Sequence, residues 1–325
     1  MKEIVFRSVL KDEIVLFLKV LKLSISVSDT YKAYQLTLSD FDSFLHEEKL
    51  TVKKLDDSQI KRWIDAFNVR PSTKRGKLTH IRRFAGYLSS LGIETRLPEM
   101  PRIIHDFTPY VFTVDEMTRI FEAADDLILS YPNSRRAAEF PLLLRMLYGC
   151  GFRLGEVIAL TWDEIDLSNG VVTVKVAKNQ KQRLVPMSDE LTRILKLYKT
   201  APYFNMQNCK FLFKTNDGRP CSAATYWSVF NRILCELGIK TSQRAKHRSH
   251  GPCIHSLRHT FAMQSLLKAE AEGNGFMDTV PFLSTYLGHS GLMETDKYLQ
   301  ARHELYTQAH AIIEDYTRNV FPQEV

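Results

Sequence analysis

Between residues 96 and 112 the chain carries Pro98, Pro101 and Pro109 and loses its hydrophobic periodicity. Proline forbids a continuous helix and biases its predecessor toward extended backbone. This stretch therefore reads as an interdomain linker, and it forces a division into a front domain, 1–107, and a larger second domain, 108–325. With 325 residues, each part is long enough to bury its own core.

The front domain reads as helical. Tyr31, Tyr34, Leu38, Phe41 and Leu45 recur at three- and four-residue steps, as do Ile60, Trp63, Ile64 and Phe67, and again Leu78, Ile81, Phe84 and Leu88. Ser72 is placed to cap the last of these helices and Gly92 to end it. Its polar side carries Lys74, Arg75, Lys77, Arg82 and Arg83, a basic face expected to look outward.

The second domain opens at Thr113-Val-Asp-Glu116, a capping-box pattern. Residues 137–150 are strongly apolar and predict a buried helix. A further helical segment follows the Gly149–Gly151 break. Val171–Val176 and Arg183–Met187 predict two strands joined at a turn holding Lys178 and Lys181. From Asp189 the pattern is again helical, apart from loops near Asn216–Gly218 and Lys240–Gly251. The fold class is thus mainly α with a small β-hairpin or sheet.

Charge follows the same order. The net charge is +7, but it alternates: +6 over 1–105, −6 over 106–170, +12 over 171–260 and −5 over 261–325. Dense basic blocks are footprints for a polyanion. The start, Met1–Val5, lacks the apolar run of a signal peptide, and no apolar stretch is long enough for a bilayer. The expected location is the cytoplasm, with no membrane partner. Cys150, Cys209, Cys221, Cys235 and Cys253 are odd in number and lack C-x-x-C spacing, so reduced thiols are expected rather than disulfides or zinc.

Four clusters carry chemistry. In Gly149-Cys-Gly-Phe-Arg153-Leu-Gly-Glu156, arginine and glutamate three apart share a helix face, and the apolar surroundings predict a partly buried guanidinium. Lys178 and Lys181 sit at a hairpin tip, where an ammonium can reach a phosphate. His255-Ser-Leu-Arg258-His259 follows the basic approach of Lys240, Arg244, Lys246, His247 and Arg248. His255 and His259 have a metal-ligand spacing, but Arg258 repels a cation, and the His255–Arg258 pair suits an anion better. The last cluster is Leu287-Gly-His289 followed by Tyr298.

In this order the clusters resemble the tyrosine recombinase (phage integrase) family over roughly residues 110–300. The resemblance implies a helical core-binding, SAM-like DNA-binding front domain and a mixed α+β catalytic domain closed by a C-terminal helix, residues 303–317. It implies Tyr298 as nucleophile, Arg153, Arg258, His255 and His289 around the phosphate, Lys178 as acid with Lys181 as rival, and Glu156 in support. Lys181, Arg244, Lys246 and Arg248 join the front-domain cations as DNA contacts. Tyr286 and Tyr306 lie near but lack the nucleophile's spacing from His289. The implied partners are double-stranded DNA, further copies in a DNA-bound tetramer, and accessory DNA-bending proteins. A 3′-phosphotyrosyl intermediate conserves bond energy, so no cofactor and no metal is implied; nor does the sequence contain a P-loop or a carboxylate cluster for two magnesium ions. Integration or excision of a mobile element is expected, because Lys268–Asp278 reads as an inserted loop. A type IB topoisomerase-like nicking-closing enzyme and a catalytically silent DNA-binding protein are the alternatives.

Overall fold

The structure is a computed structural model that describes residues 4–24, 28–101, 109–131, 134–175, 182–200, 210–215, 218–241 and 251–288. Backbone contacts gather into two compact units, one built from residues up to 101 and one from 109 onward. Across both, the architecture is mostly helical with one three-stranded antiparallel sheet.

The first unit contains α1 (Lys11–Ser24), α2 (Ser28–Glu47), α3 (Asp57–Asp65) and α4 (Pro71–Ser90). Their apolar stripes meet in a core of Leu10, Ile14, Phe17, Leu38, Phe41, Trp63, Ile81 and Phe84. Buried Asp42 accepts from the backbone N–H groups of Arg7 at 2.7 Å and Ser8 at 3.0 Å, which fixes the entry into α1. Asp56 and Gln59 form a capping box on α3. The expected cap at Ser72 is corrected. The helix begins two residues earlier than that cap implies, with Pro71 in its first turn and Arg70 ahead of it, because proline's missing N–H is no loss there. Gly92, at φ 78°, lies just past the helix end.

The second unit is organised around α6 (Arg135–Cys150), buried along most of its length through Phe140, Leu143, Leu144, Met146 and Leu147. Packed on it are α5 (Val114–Ser130), α7 (Leu154–Ala159), α8 (Asp189–Thr200) and α10 (Ser256–Ala271). The Thr113–Glu116 capping box opens α5. Thr260 on α10 accepts from the Phe112 N–H at 2.9 Å, tying α10 to the segment before α5. α9 (Ala223–Glu236) packs on α5 and α7, and α11 (Phe276–Leu287) on α10.

The sheet runs β1 (Ile165–Asp166), β2 (Val171–Lys175) and β3 (Gln182–Pro186), with Val172 opposite Val185 and Val174 opposite Arg183. The two expected strands pair as a hairpin would, and the turn carrying Lys178 and Lys181 lies outside the described residues. The two-residue β1 has no sequence signal of its own.

The expected inserted loop is corrected. Lys268 to Ala271 continue α10, and only a short turn, Glu272–Gly275, precedes α11. Gly273, at φ 85°, ends α10 abruptly. The C-terminal helix expected at 303–317 lies outside the described residues. No described helix is long and apolar enough to cross a membrane. The described cysteines, Cys150, Cys221, Cys235 and Cys253, are free thiols.

Candidate active site

α6 ends at Gly151, whose left-handed backbone (φ 62°, ψ 25°) turns the chain sharply. A Cβ there would lie 2.4 Å from the Phe261 ring, so both conformation and space demand glycine. The turn delivers Arg153 to the position just before α7, in extended conformation. This corrects the expected helix-face pair. Glu156 instead reaches back to cap the helix, accepting from the Arg153 N–H at 2.8 Å and from Arg153 Nη1 at 3.0 Å.

Arg258 lies in the first turn of α10 and is 2% exposed. Its Nη1 donates to the Gly151 carbonyl and its Nη2 to the Leu287 carbonyl, both at 2.7 Å. Arg153 bonds the same region, through Nη1 to Leu287 O at 3.5 Å and Nη2 to Gly288 O at 3.3 Å. Gly288 ends α11 in left-handed conformation, at φ 66° and ψ 47°. The two arginines thus hold the main chain immediately before His289 in sequence.

Sequence reasoning missed Arg183. From β3 it donates Nη1 to Glu156 Oε1 at 3.0 Å and Nη2 to Oε2 at 2.7 Å. Arg258 Nη1 lies 4.0 Å from the same carboxylate. The available signal was the strand's alternation: Arg183 shares a face with buried Val185, while Gln182, Leu184 and Pro186 are exposed. Burial raises the Glu156 pKa, but the hydrogen bonds and charges of Arg183 and Arg153 outweigh it and hold the carboxyl below the usual glutamate range. Among the described residues, three guanidinium groups therefore surround one carboxylate, an excess of positive charge in a half-buried setting. Such a cluster has the charge and the donors to hold an anion.

His255 precedes α10 and is exposed, and its ring meets that of His259 edge-on with centroids 4.8 Å apart. Among the described residues no group of three or more His, Cys, Asp or Glu side chains is arranged to hold a metal ion. Lys178, Lys181, Arg244, Lys246, Arg248, His289 and Tyr298 lie outside the described residues. Tyr286 packs against Phe261 at 5.6 Å between ring centroids, and burial pushes its hydroxyl pKa up.

On α4 the expected basic face is only partly turned outward. Lys77 pairs with Asp40 at 2.6 Å and sits 4.3 Å from the Phe67 ring centroid. Arg75 donates to the Pro101 carbonyl at 2.6 Å and Arg82 to that of Pro98 at 2.9 Å. These two bonds hold the proline-bearing segment against the helix. Arg83 lies 5.9 Å from the Tyr34 ring centroid, and Lys74 is half-buried.

Residues 110–304 match the model of the phage integrase family. The chain is 30% identical to a tyrosine recombinase XerC of Xanthomonas campestris pv. campestris, over 80% of this chain and 75% of that one. It is 28% identical to a putative integrase/recombinase of Sinorhizobium fredii, over 74% and 77% of the respective chains. Among solved structures, the XerH recombinase bound to a palindromic difH substrate matches with TM-score 0.64 at 18% identity, covering 83% of this chain and 75% of that one. A lambda integrase dimer bound to a COC′ core site matches with TM-score 0.62 at 15% identity, covering 90% and 77%. The extent of the family match and the identity to XerC together decide the assignment: this chain belongs to the phage integrase family and is a tyrosine recombinase, an enzyme that breaks and rejoins DNA.

Proposed function

We propose that this enzyme cleaves and rejoins specific DNA sites through a 3′-phosphotyrosyl link on Tyr298, with Arg153 and Arg258 clamping the scissile phosphate. The observation that carries this reading is the convergence of both arginines on Leu287 and Gly288, directly before His289. Negative charge grows on the non-bridging oxygens as Tyr298 Oη attacks phosphorus. Fixed donors stabilise that charge, each worth on the order of 10²–10³ in rate. His289 adds a further hydrogen bond. An unperturbed tyrosine has a pKa of about 10, so proton transfer toward His255 and the local cations assist ionisation. Lys178 supplies the proton to the departing 5′-oxygen, with Lys181 as the alternative donor. Rejoining is the reverse: a 5′-hydroxyl attacks the phosphotyrosine and releases Tyr298. Bond energy is conserved throughout, so no cofactor enters the balance.

Duplex binding is assigned to Lys74 and Arg83 on α4 and to Arg244, Lys246 and Arg248, mostly through phosphate contacts. A tetramer on DNA is supported by the likeness in fold to a lambda integrase tetramer bound to a Holliday junction. Integration or excision of a mobile element is supported by the similarity to a putative integrase/recombinase. The Lys268–Asp278 segment lends it no support, since only the short turn Glu272–Gly275 separates α10 from α11.

The test is a nicked suicide substrate that traps the covalent complex. The wild type forms an adduct, and Tyr298→Phe binds the DNA without forming one. A normal adduct yield from Tyr298→Phe overturns the proposal. Sequencing the DNA trapped by the wild type then distinguishes mobile-element ends from a chromosomal site.

A further inference from the structure

We infer that Arg183 is a positioning residue for strand cleavage: by engaging both oxygens of Glu156, it lets that carboxylate orient Arg153 and Arg258 without neutralising them. The inference rests on the reading that those two arginines hold the scissile phosphate.

The geometry carries it. Arg183 presents a planar fork to both Glu156 oxygens, at 3.0 and 2.7 Å, whereas the Arg153 side chain takes one bond at 3.0 Å and Arg258 stands off at 4.0 Å. The carboxylate thus directs its paired bonding to the strand arginine and holds the other two by lesser contacts. Bidentate pairs fix a plane as well as a distance. The fork of Arg183 faces Glu156, and its side chain is 11% exposed. Its Nη1 lies where a Cβ on Gly288 would come within 2.9 Å, so the main chain at Gly288 packs on the guanidinium. Its Nε is buried without a hydrogen-bond partner among the described residues, so the two bonds to Glu156 account for the group's placement. The backbone beneath it is firm, since Arg183 pairs with Val174 inside the antiparallel β2–β3 ladder.

Without Arg183, the nearest remaining cations to Glu156 are Arg153 and Arg258. The carboxylate would turn toward them and compete with the phosphate. A lysine at 183 keeps the charge but offers one compact ammonium in place of the fork, so the plane of Glu156 is no longer fixed.

The experiment measures single-turnover adduct formation on a suicide substrate, together with DNA affinity and unfolding midpoint, for Arg183→Lys, Arg183→Gln, Glu156→Gln and the Arg183→Gln/Glu156→Gln pair. Misplacement of a catalytic group by an ångström costs up to about 100-fold, so Arg183→Lys should lose roughly 10- to 100-fold in cleavage rate. Its DNA affinity should stay within about threefold of wild type, since no phosphate contact is removed. Because Arg183 acts through Glu156, Arg183→Gln should cost less than about threefold further in the Glu156→Gln background. Arg183→Lys cleaving at the wild-type rate overturns the inference. So does an equal loss from Arg183→Gln with and without Glu156, or a loss of cleavage matched by the fall in unfolding midpoint, which marks a merely structural role. If Arg183→Gln does not fold, the Arg183→Lys comparison decides alone. Failure of the wild type to form any adduct indicts the phosphotyrosine reading instead.

Discussion

Arg258 Nη2 donates to the main-chain carbonyl of Leu287 at 2.7 Å, joining the start of α10 to the last residue of α11. The same guanidinium holds Gly151 at the end of α6. At 2% exposure it is a structural bolt as well as a candidate phosphate ligand. Arg258→Ala should therefore lose both adduct formation and stability, the latter by about 2–5 kcal/mol, because the buried Gly151 and Leu287 carbonyls each lose a 2.7 Å bond. Arg153, with 36% of its side chain exposed, should separate the two effects. Arg153→Ala should lose at least about 100-fold in adduct formation with a small change in urea midpoint. Equal destabilisation by both variants contradicts this division.

Glu156 makes stability depend on acid. Its carboxyl titrates lower in the folded protein than in the unfolded chain, because Arg183 and Arg153 outweigh its burial. Below the usual glutamate range the unfolded chain binds more protons than the folded one, so stability falls as pH drops through the folded-state value. The advantage of wild type over Glu156→Gln in urea unfolding should be fully present at neutral pH and shrink on acidification. An advantage that grows in acid contradicts the sign.

Gly288 should not accept a side chain. Its φ of 66° disfavours any L-residue, and a Cβ would come 2.9 Å from Arg183 Nη1, which Glu156 holds in place. Gly288→Ala should cost at least about 1–2 kcal/mol in stability and reduce adduct yield. Gly155→Ala is the control, with nothing within 4 Å of the added atom and a helical site that favours alanine. It should leave the unfolding midpoint unchanged or raised. Equal damage by both substitutions contradicts the packing account.

The α4 cations should divide by what each one touches. Arg83→Ala and Lys74→Ala should each lower the slope of log affinity against log salt by about one, if each meets one phosphate. Lys77→Ala removes the pair with Asp40 and the contact with the Phe67 ring. It should lower stability and leave the salt slope nearly unchanged. A salt slope that falls for Lys77→Ala and not for Arg83→Ala reverses the assignment.

Much of the fold was legible because its signals are local. The capping box at Thr113, the stripes of α2 to α4 and the apolar run of α6 each sit within a few turns of sequence. The Arg153–Glu156 pair was legible as a pair, but its form was not. Only the left-handed turn at Gly151 shows that Arg153 stands ahead of the helix. The alternation of β3 turns Arg183 inward, but its partner was illegible because Glu156 is 27 residues away. Lys268–Asp278 was misread as a loop for a related reason. Gly273 and Gly275 read as loop, yet they only punctuate two helices, one of which already includes Lys268.

The most direct test of the central claim is to digest the trapped covalent complex and identify the peptide that carries the nucleotide. The account predicts a single modified residue, Tyr298. Attachment to Tyr286, Tyr306 or any other side chain would contradict it.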